Sequence, residues 1–358
     1  MRTEFTWISG SGFVAALSAI ARIHKISNPS SDTVPILQTD GLAKTYAVRR
    51  KHGQDAAVEA VRGVDLSIRA KEIFGFLGPN GAGKTTALRM LTTLLTPTAG
   101  KARVVGYDLH TQPKQIRRCI GYVSQAGGSD TSATAWENLI LQARLYGMTT
   151  DAALERARQL IDQLQMDDFA QRPAMTYSGG QRRRLDLALG MVHKPPLLFL
   201  DEPTLGLDPQ SRAYFWEEIQ RLRGEGTTVF LTTHYMDEAD KLCDRVSIID
   251  RGEIVAEGTP GDLKKEIKGD SIILGFAGDH SLASGRHQLA GQPYVKEVLI
   301  KDGKLHLYVE QGEQTIPAIV RLLDAQQIAV TTIEFARPSL DDVFLLKTGR
   351  SLRDTGSE

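Results

Sequence analysis

Eight residues constrain this chain more than any others: Gly78-Pro79-Asn80-Gly81-Ala82-Gly83-Lys84-Thr85, a G-x-x-x-x-G-K-[ST] loop. Its glycines let the backbone curl until consecutive N–H groups point inward, which makes a cradle for phosphate oxygens. Lys84 is spaced to reach the outer phosphates of a nucleotide, and Thr85 to offer a hydroxyl to Mg2+. Such a loop works between a strand and a helix, because the positive end of the helix completes the anion site. The flanks fit that demand. Ile73-Phe74-Gly75-Phe76-Leu77 is continuously apolar, and Leu88, Leu91 and Leu95 follow at helical spacing before Pro97.

The rest of the chain extends this strand–loop–helix unit. Residues 197–200 and 229–231 are further apolar runs, the second within a strand expected over 227–233. From 36 to 258, β-branched runs alternate with helical patterns, which predicts a mainly parallel sheet covered by helices. Within it, Trp136, Leu139, Ile140 and Ala143 recur at helical spacing up to Gly147, and Leu154, Ala157, Ile161 and Leu164 form a second stripe after Asp151. These predict a helical subdomain at about 128–176. Residues 28–35 read as a linker behind an extension, 1–35, which is either poorly ordered or a short surface helix. Its apolar stretch, 5–23, is diluted by Ser, Thr and Gly, and Glu4 argues against a secretory signal. Beyond 258 the pattern changes. Residues 295–300 and 305–309 alternate around Lys301-Asp302-Gly303-Lys304, a hairpin signal. A helix near 316–323, a strand near 328–335 and a short helix after Pro338 complete a small α+β domain, 259–358.

Composition excludes some classes. The 43 basic and 43 acidic residues cancel, so no basic field points to nucleic acid. No run is long and apolar enough for a membrane span. Cys119 and Cys243 are far apart, without metal-ligand spacing, and read as buried, reduced thiols.

Two more segments carry chemistry. The apolar strand 197–200 ends in Asp201-Glu202, which suits a metal-binding carboxylate followed by one able to orient and deprotonate water. Tyr177-Ser178-Gly179-Gly180-Gln181 precedes a helix with Leu185, Ala188, Leu189 and Val192 on one face. A serine and two glycines at a helix start form an ordinary cap, and equally an anion site.

With Ser-Gly-Gly-Gln lying between the phosphate loop and the Asp-Glu strand, the chain resembles the ATP-binding-cassette (ABC) family over residues 36–258. The family's other landmarks fall in order: Gln125 in Gly121-Tyr122-Val123-Ser124-Gln125, Asp208 in Gly206-Leu207-Asp208, and His234 at a strand end. Tyr46 sits where the family places an aromatic that stacks on adenine, although a stretch at 49–59 looks like an insertion. Tyr177 stands where Leu is usual, and Lys71 where Gly commonly precedes Glu72. The tail Arg337-Pro338-Ser339-Leu340-Asp341-Asp342-Val343-Phe344 is similar to drug-resistance ATPases of the daunorubicin-exporter type.

The resemblance implies an α/β P-loop NTPase core with an inserted helical subdomain and a small C-terminal α+β domain. It implies ATP bound by Tyr46, the loop from Gly78 to Thr86 and, from a second copy, Ser178, Gly179, Gly180, Gln181 and Asp208. Mg2+ falls to Thr85, Gln125 and Asp201. Hydrolysis falls to Glu202, His234, Lys84 and Gln125. The implied setting is a homodimer docked to a membrane permease on the cytoplasmic, inner face of the cell membrane, energising export of a drug, antibiotic or lipid-like compound. Two alternatives are a soluble ABC ATPase of translation or DNA maintenance and a nucleotide-binding regulator. The first usually carries two cassettes or long coiled coils, and this chain has one cassette and a short helical insert.

Overall fold

The structure is a computed structural model that describes residues 34–49, 55–267, 269–336 and 338–349. The stretch 5–23, and all of the extension up to residue 33, lie outside the described residues. Ile36 opens a compact unit that runs through the rest of the chain.

That unit starts with a hairpin, β1 (Leu37–Arg49) and β2 (Asp55–Val64), with β3 (Ser67–Ile68) beside β1. The stretch read as an insertion at 49–59 is therefore largely this hairpin, its residues 50–54 falling outside the described set. Next come β4 (Ile73–Leu77), the glycine loop and α1 (Lys84–Leu91), then β5 (Ala99–Val104), β6 (Tyr107–Asp108), α2 (Pro113–Cys119) and β7 (Ile120–Val123). The helices α3 (Ala135–Leu145), α4 (Thr150–Gln163) and α5 (Gly179–Met191) precede β8 (Leu197–Asp201). The chain continues through α6 (Pro209–Gly224), β9 (Thr228–Thr233), α7 (Met236–Leu242), β10 (Arg245–Asp250) and β11 (Glu253–Gly258).

Two sheets result. An antiparallel one has the order β2-β1-β5-β6, and a six-stranded one has the order β11-β10-β4-β9-β8-β7, parallel except at β11. Every residue of β4, β8 and β9 is buried, as their unbroken apolar runs require when both faces are covered. Alternate side chains go to opposite faces. Phe74, Phe76 and Phe199 gather around Phe230, with ring centroids 5.4–5.8 Å apart, beneath α1 and the antiparallel sheet. Ile73, Leu77, Leu198, Leu200 and Leu231 face the helical side of the molecule.

The helices differ from the sequence reading in three places. First, α1 stops at Leu91: the Thr92 hydroxyl bonds back to the Leu88 carbonyl at 2.9 Å, and Thr93 is left-handed at φ 64°. Leu95 still reaches the core, but from the turn. Second, α4 buries Ala153, Ala157, Leu160 and Ile161 and turns Leu154 outward. Third, α5 buries consecutive residues from Leu185 to Met191 rather than one face.

After β11 come α8 (Pro260–Glu266), β12 (Asp270–Phe276), α9 (Asp279–Leu289), β13 (Val295–Lys301), β14 (Lys304–Val309), α10 (Gly312–Ala325), β15 (Val330–Ala336) and α11 (Leu340–Thr348). They build an antiparallel sheet of order β13-β14-β12-β15. Its β13–β14 turn has Asp302 at φ 51° and Gly303 at φ 69°, the paired left-handed residues of a tight hairpin. The sequence reading passed over β12 and α9. It also assigned the last helix to this domain alone. In the structure Leu340, Val343 and Phe344 of α11 join the core that holds Leu242, Leu263 and Ile267. On the other side, Tyr308 of β14 donates to Asp342 at 3.0 Å. The tail is thus a wedge between the sheet and the cassette.

Cys243 is buried and Cys119 only half-buried, both as free thiols, and burial raises the pKa of each. Among the described residues no helix is long and apolar enough to cross a membrane.

Candidate functional site

The site forms where β4, β9 and β8 end side by side. In open α/β sheets the carboxyl ends of the strands are where ligands collect. The loop after β4 is held close by its glycines. Gly83 has φ 107°, and a Cβ there would meet the Ala60 carbonyl oxygen at 2.4 Å; one on Gly78 would meet that of Ile249 at 2.2 Å. The Ala82 N–H bonds to the Pro79 carbonyl at 3.2 Å and closes the loop's own turn.

Lys84 points back into the loop. Its ammonium, 4% exposed, donates to the carbonyls of Gly78 (2.7 Å) and Pro79 (3.0 Å) and stands 3.3 Å from Glu202 Oε1. His234 Nδ1 lies 3.3 Å from the same oxygen, without hydrogen-bond alignment. Burial lowers the Lys84 pKa, against the pull of Glu202. Burial pushes the Glu202 carboxyl up, but the nearby His234 and the Lys84 charge outweigh it, and the net direction is below the ordinary carboxylate range. Glu202 therefore stays a carboxylate at neutral pH. Its backbone is left-handed at φ 44°, a conformation non-glycine residues pay for in strain and that clusters at functional sites. Its N–H is fixed by the carbonyl (3.1 Å) and hydroxyl (3.0 Å) of Thr232.

Asp201, 2% exposed, accepts from the hydroxyls of Thr232 at 2.7 Å and Thr85 at 3.2 Å, both on Oδ1. No Lys, Arg or His nitrogen pairs with it within 4 Å among the described residues. A buried carboxylate with hydroxyl partners and no paired cation suits a divalent metal with oxygen ligands. The cavity in front is lined by Asn80, Gly81, Gly83, Lys84, Thr85 and Thr86 of the loop and helix, with Ala60, Gln125 and Glu202.

Other residues singled out from sequence lie away from this cavity's lining. Ser178 and Gly179 are exposed at the start of α5. Ser178 accepts from the Gln181 N–H at 3.2 Å, while Gln181 accepts from the Ser178 N–H at 3.0 Å, a reciprocal cap. Asp208 is exposed and caps α6 through Ser211, whose hydroxyl approaches Gly180 so closely that a Cβ there would sit 2.7 Å from it. Tyr46, on β1, is 37% exposed, with the Lys44 ammonium 5.5 Å from its ring centre. So Lys84, Thr85, Gln125, Asp201, Glu202 and His234 converge, whereas Ser178, Gly179 and Asp208 lie exposed at the starts of α5 and α6, outside the lining of this cavity.

Sequence reasoning missed three residues. Thr232 joins Asp201 to the Glu202 backbone. Ala60 meets the loop from β2. Arg183, inside the run Arg182-Arg183-Arg184, is buried and bonds to the carbonyls of Ser124, Asp201, Glu202 and Pro203. Its signal was present, since in a buried helix one of three adjacent arginines must point inward. Tyr177 is buried and its single O–H is shared between the carbonyls of Phe169 (3.0 Å) and Arg172 (3.2 Å), which ties the start of α5 to the helical subdomain.

Comparison with known proteins agrees with this architecture. The ABC transporter family model matches residues 61–205, and the model for the C-terminal domain of DrrA1-3-like ATP-binding proteins matches residues 258–348. The daunorubicin/doxorubicin resistance ATP-binding protein DrrA of Streptomyces peucetius is 41% identical over 323 residues, 90% of this chain and 95% of that protein. The linearmycin resistance ATP-binding protein LnrL of Bacillus subtilis (strain 168) is 34% identical, over 89% of this chain and all of its own length. Among solved structures, the dimeric post-hydrolysis ATP-binding cassette MJ0796 bound to ADP and Pi superposes with a TM-score of 0.57 at 26% identity, over 62% of this chain and 98% of that one. With its phosphate loop, Asp-Glu strand and helix-capping Ser-Gly-Gly-Gln on one P-loop NTPase fold, the chain belongs to the ATP-binding, ATP-hydrolysing subunits of the ABC transporter family.

Proposed function

We propose that the chain energises export of an antibiotic, drug or lipid-like compound through a separate membrane permease, working as a pair of copies on the cytoplasmic face of the membrane. The observation that carries this is the convergence of Lys84, Asp201, Glu202 and His234 at the ends of three adjacent strands, while the exposed start of α5 lines no part of their cavity. A site split in this way is completed by a second copy. The names of the relatives, resistance ATP-binding proteins, support export over translation or DNA maintenance. We take residues 36–258 as the cassette, about 128–176 as its helical subdomain, and 259–358 as an accessory domain.

In this reading the loop N–H groups and Lys84 grip the ATP phosphates, where removing Lys84 costs binding energy directly. Thr85, Asp201 and Gln125 would hold Mg2+, which would supply neutralising charge to the phosphates. Glu202, ionised and strained into position, accepts a proton from the attacking water. His234, whose Nδ1 lies 3.3 Å from the same Glu202 oxygen as Lys84, would contact the outer phosphate. Tyr46 stacks on the adenine. Ser178, Gly179, Gly180 and Gln181 of the second copy add their helix end to the phosphate charge only on closure, and Asp208 lies at the seam beside them, so hydrolysis is coupled to movement.

Glu202→Gln is expected to abolish turnover, keep ATP binding and yield a stable ATP-bound dimer in size-exclusion chromatography. Near-normal hydrolysis by that variant contradicts the assignment. Lys84→Ala is expected to lose nucleotide affinity; an unchanged ATP dissociation constant contradicts the loop reading. Isolating the membrane protein that co-purifies with the chain, then testing drug-stimulated hydrolysis by the pair, tests export itself.

A further inference from the structure

Arginines 182–184 point in three directions from α5. The Arg184 guanidinium stacks 3.9 Å from the Tyr214 ring centre, and Arg182 reaches the Ala174 carbonyl at 3.4 Å. Arg183 goes inward and is 8% exposed. Its Nε donates to Pro203 O at 2.7 Å, one terminal nitrogen to Ser124 O at 2.8 Å, and the other to Asp201 O at 3.1 Å and Glu202 O at 3.2 Å. The planar fork of a guanidinium is the side chain suited to four converging carbonyls, and an ammonium could not reach them all at once.

Three of those carbonyls belong to consecutive residues at the end of β8. The middle one is Glu202, whose left-handed backbone needs support from its surroundings. Thr232 fixes its N–H, and Arg183 fixes its C=O. The fourth carbonyl, Ser124, immediately precedes Gln125. Arg183 thus joins the helix that begins at Ser178 to the Asp201–Pro203 turn and to the Gln125 loop. No other described side chain makes all three connections.

We infer that Arg183 is a positioning residue: it clamps the Glu202 turn to the helix that begins at Ser178, so that the carboxylate keeps its aim only while that helix is seated. This rests on the reading of Glu202 as the residue that activates water. Arg183 lines no part of the nucleotide cavity, so its loss acts on turnover rather than on binding.

The test is steady-state ATP hydrolysis by the full-length chain carrying Arg183→Lys, Glu202→Gln, or both, with ATP affinity measured alongside. A small displacement of a reacting group costs up to about 100-fold in rate. Arg183→Lys is therefore expected to lower kcat about 10- to 100-fold with KM within about 2-fold. Because it acts through Glu202, adding it to Glu202→Gln is expected to cost nothing further in residual single-turnover rate. Wild-type kcat in Arg183→Lys, a loss confined to KM, or multiplicative losses in the double variant overturns the inference. Normal hydrolysis by Glu202→Gln instead overturns the underlying assignment, so the two failures are distinct. If Arg183→Lys does not fold, a second substitution at the same position takes its place. Arg183→Gln, which keeps a donor toward one of the four carbonyls, is expected to give the same loss selective for kcat, and an unchanged kcat in it overturns the clamp.

Discussion

His193 offers a test of the packing between the helical subdomain and the sheet. It lies in the turn between α5 and β8, and its ring stacks on Tyr146 at the end of α3, centroids 3.7 Å apart and planes 8° from parallel. Nε2 lies 3.0 Å from the carbonyl of Ile120, the first residue of β7, which fixes Nε2 as the protonated nitrogen. Nδ1 is buried without a hydrogen-bond partner. Burial pushes this imidazole down to about 4, from an ordinary 6.5, with Arg156 adding in the same direction and the Ile120 bond opposing. The unfolded chain therefore binds a proton here that the folded one refuses, between about pH 6.5 and pH 4. In that window stability rises with pH and is lost as pH falls. At pH 5 the loss is RT ln[(1 + 10^1.5)/(1 + 10^−1)], about 2 kcal/mol. His193→Phe keeps the stack and removes the proton site. It forfeits the bond to Ile120, at about 1 kcal/mol, equally at both pH values. Urea unfolding of both proteins at pH 7.5 and pH 5 isolates the effect, since all other titrations cancel in the difference. The variant should lose about 2 kcal/mol less than the parent on acidification. An equal loss in both proteins would refute the account of His193 as a desolvated, neutral linker.

Two further perturbations probe local claims. Lys71, where family members commonly carry Gly, is left-handed at φ 65°. Lys71→Gly should raise stability by about 0.5–1 kcal/mol, relief of strain of about 1–2 kcal/mol less the added freedom of the unfolded chain, and a lowered melting temperature would contradict that. Asp342 accepts from the Tyr308 hydroxyl and from both the N–H and hydroxyl of Ser339, so Asp342→Ala removes a helix cap and strands a buried phenol. It should cost about 2–4 kcal/mol and speed protease cleavage near residue 339; unchanged proteolysis would contradict the wedge role of α11.

The readable parts of this molecule are those where one local rule dominates. The glycine loop, the apolar strands Ile73–Leu77 and Leu197–Asp201, and the Asp302-Gly303 turn each require particular residues at particular positions. Reading failed where long-range packing decides. Leu154 faces solvent and Ala153 the core, because the buried face of α4 runs through Ala153, Ala157, Leu160 and Ile161, and hydrophobicity alone favours leucine over alanine. Phe344 joins a core shared by the cassette and residues 259–358 rather than one domain alone, a choice that the helix's apolar residues leave open. Arg183 stands in a run of three arginines on a buried helix, which signals an inward one but leaves open which of the three it is. Strand β12, Asp270–Phe276, was overlooked despite Ile272, Ile273 and Leu274, and there the signal was present.

The central claim is that each ATP site is built from two chains, the loop of one and the Ser178 helix end of the other. Mixing Lys84→Ala chains with Ser178→Arg chains tests it most directly. Alone, each variant has both sites defective. A mixed pair contains one site made of an intact loop and an intact helix end. The account predicts that ATP hydrolysis, near background for either variant alone, reappears on mixing and scales with the fraction of mixed pairs. Hydrolysis that stays at background in every mixture, or a Ser178→Arg chain that turns over normally by itself, would contradict it.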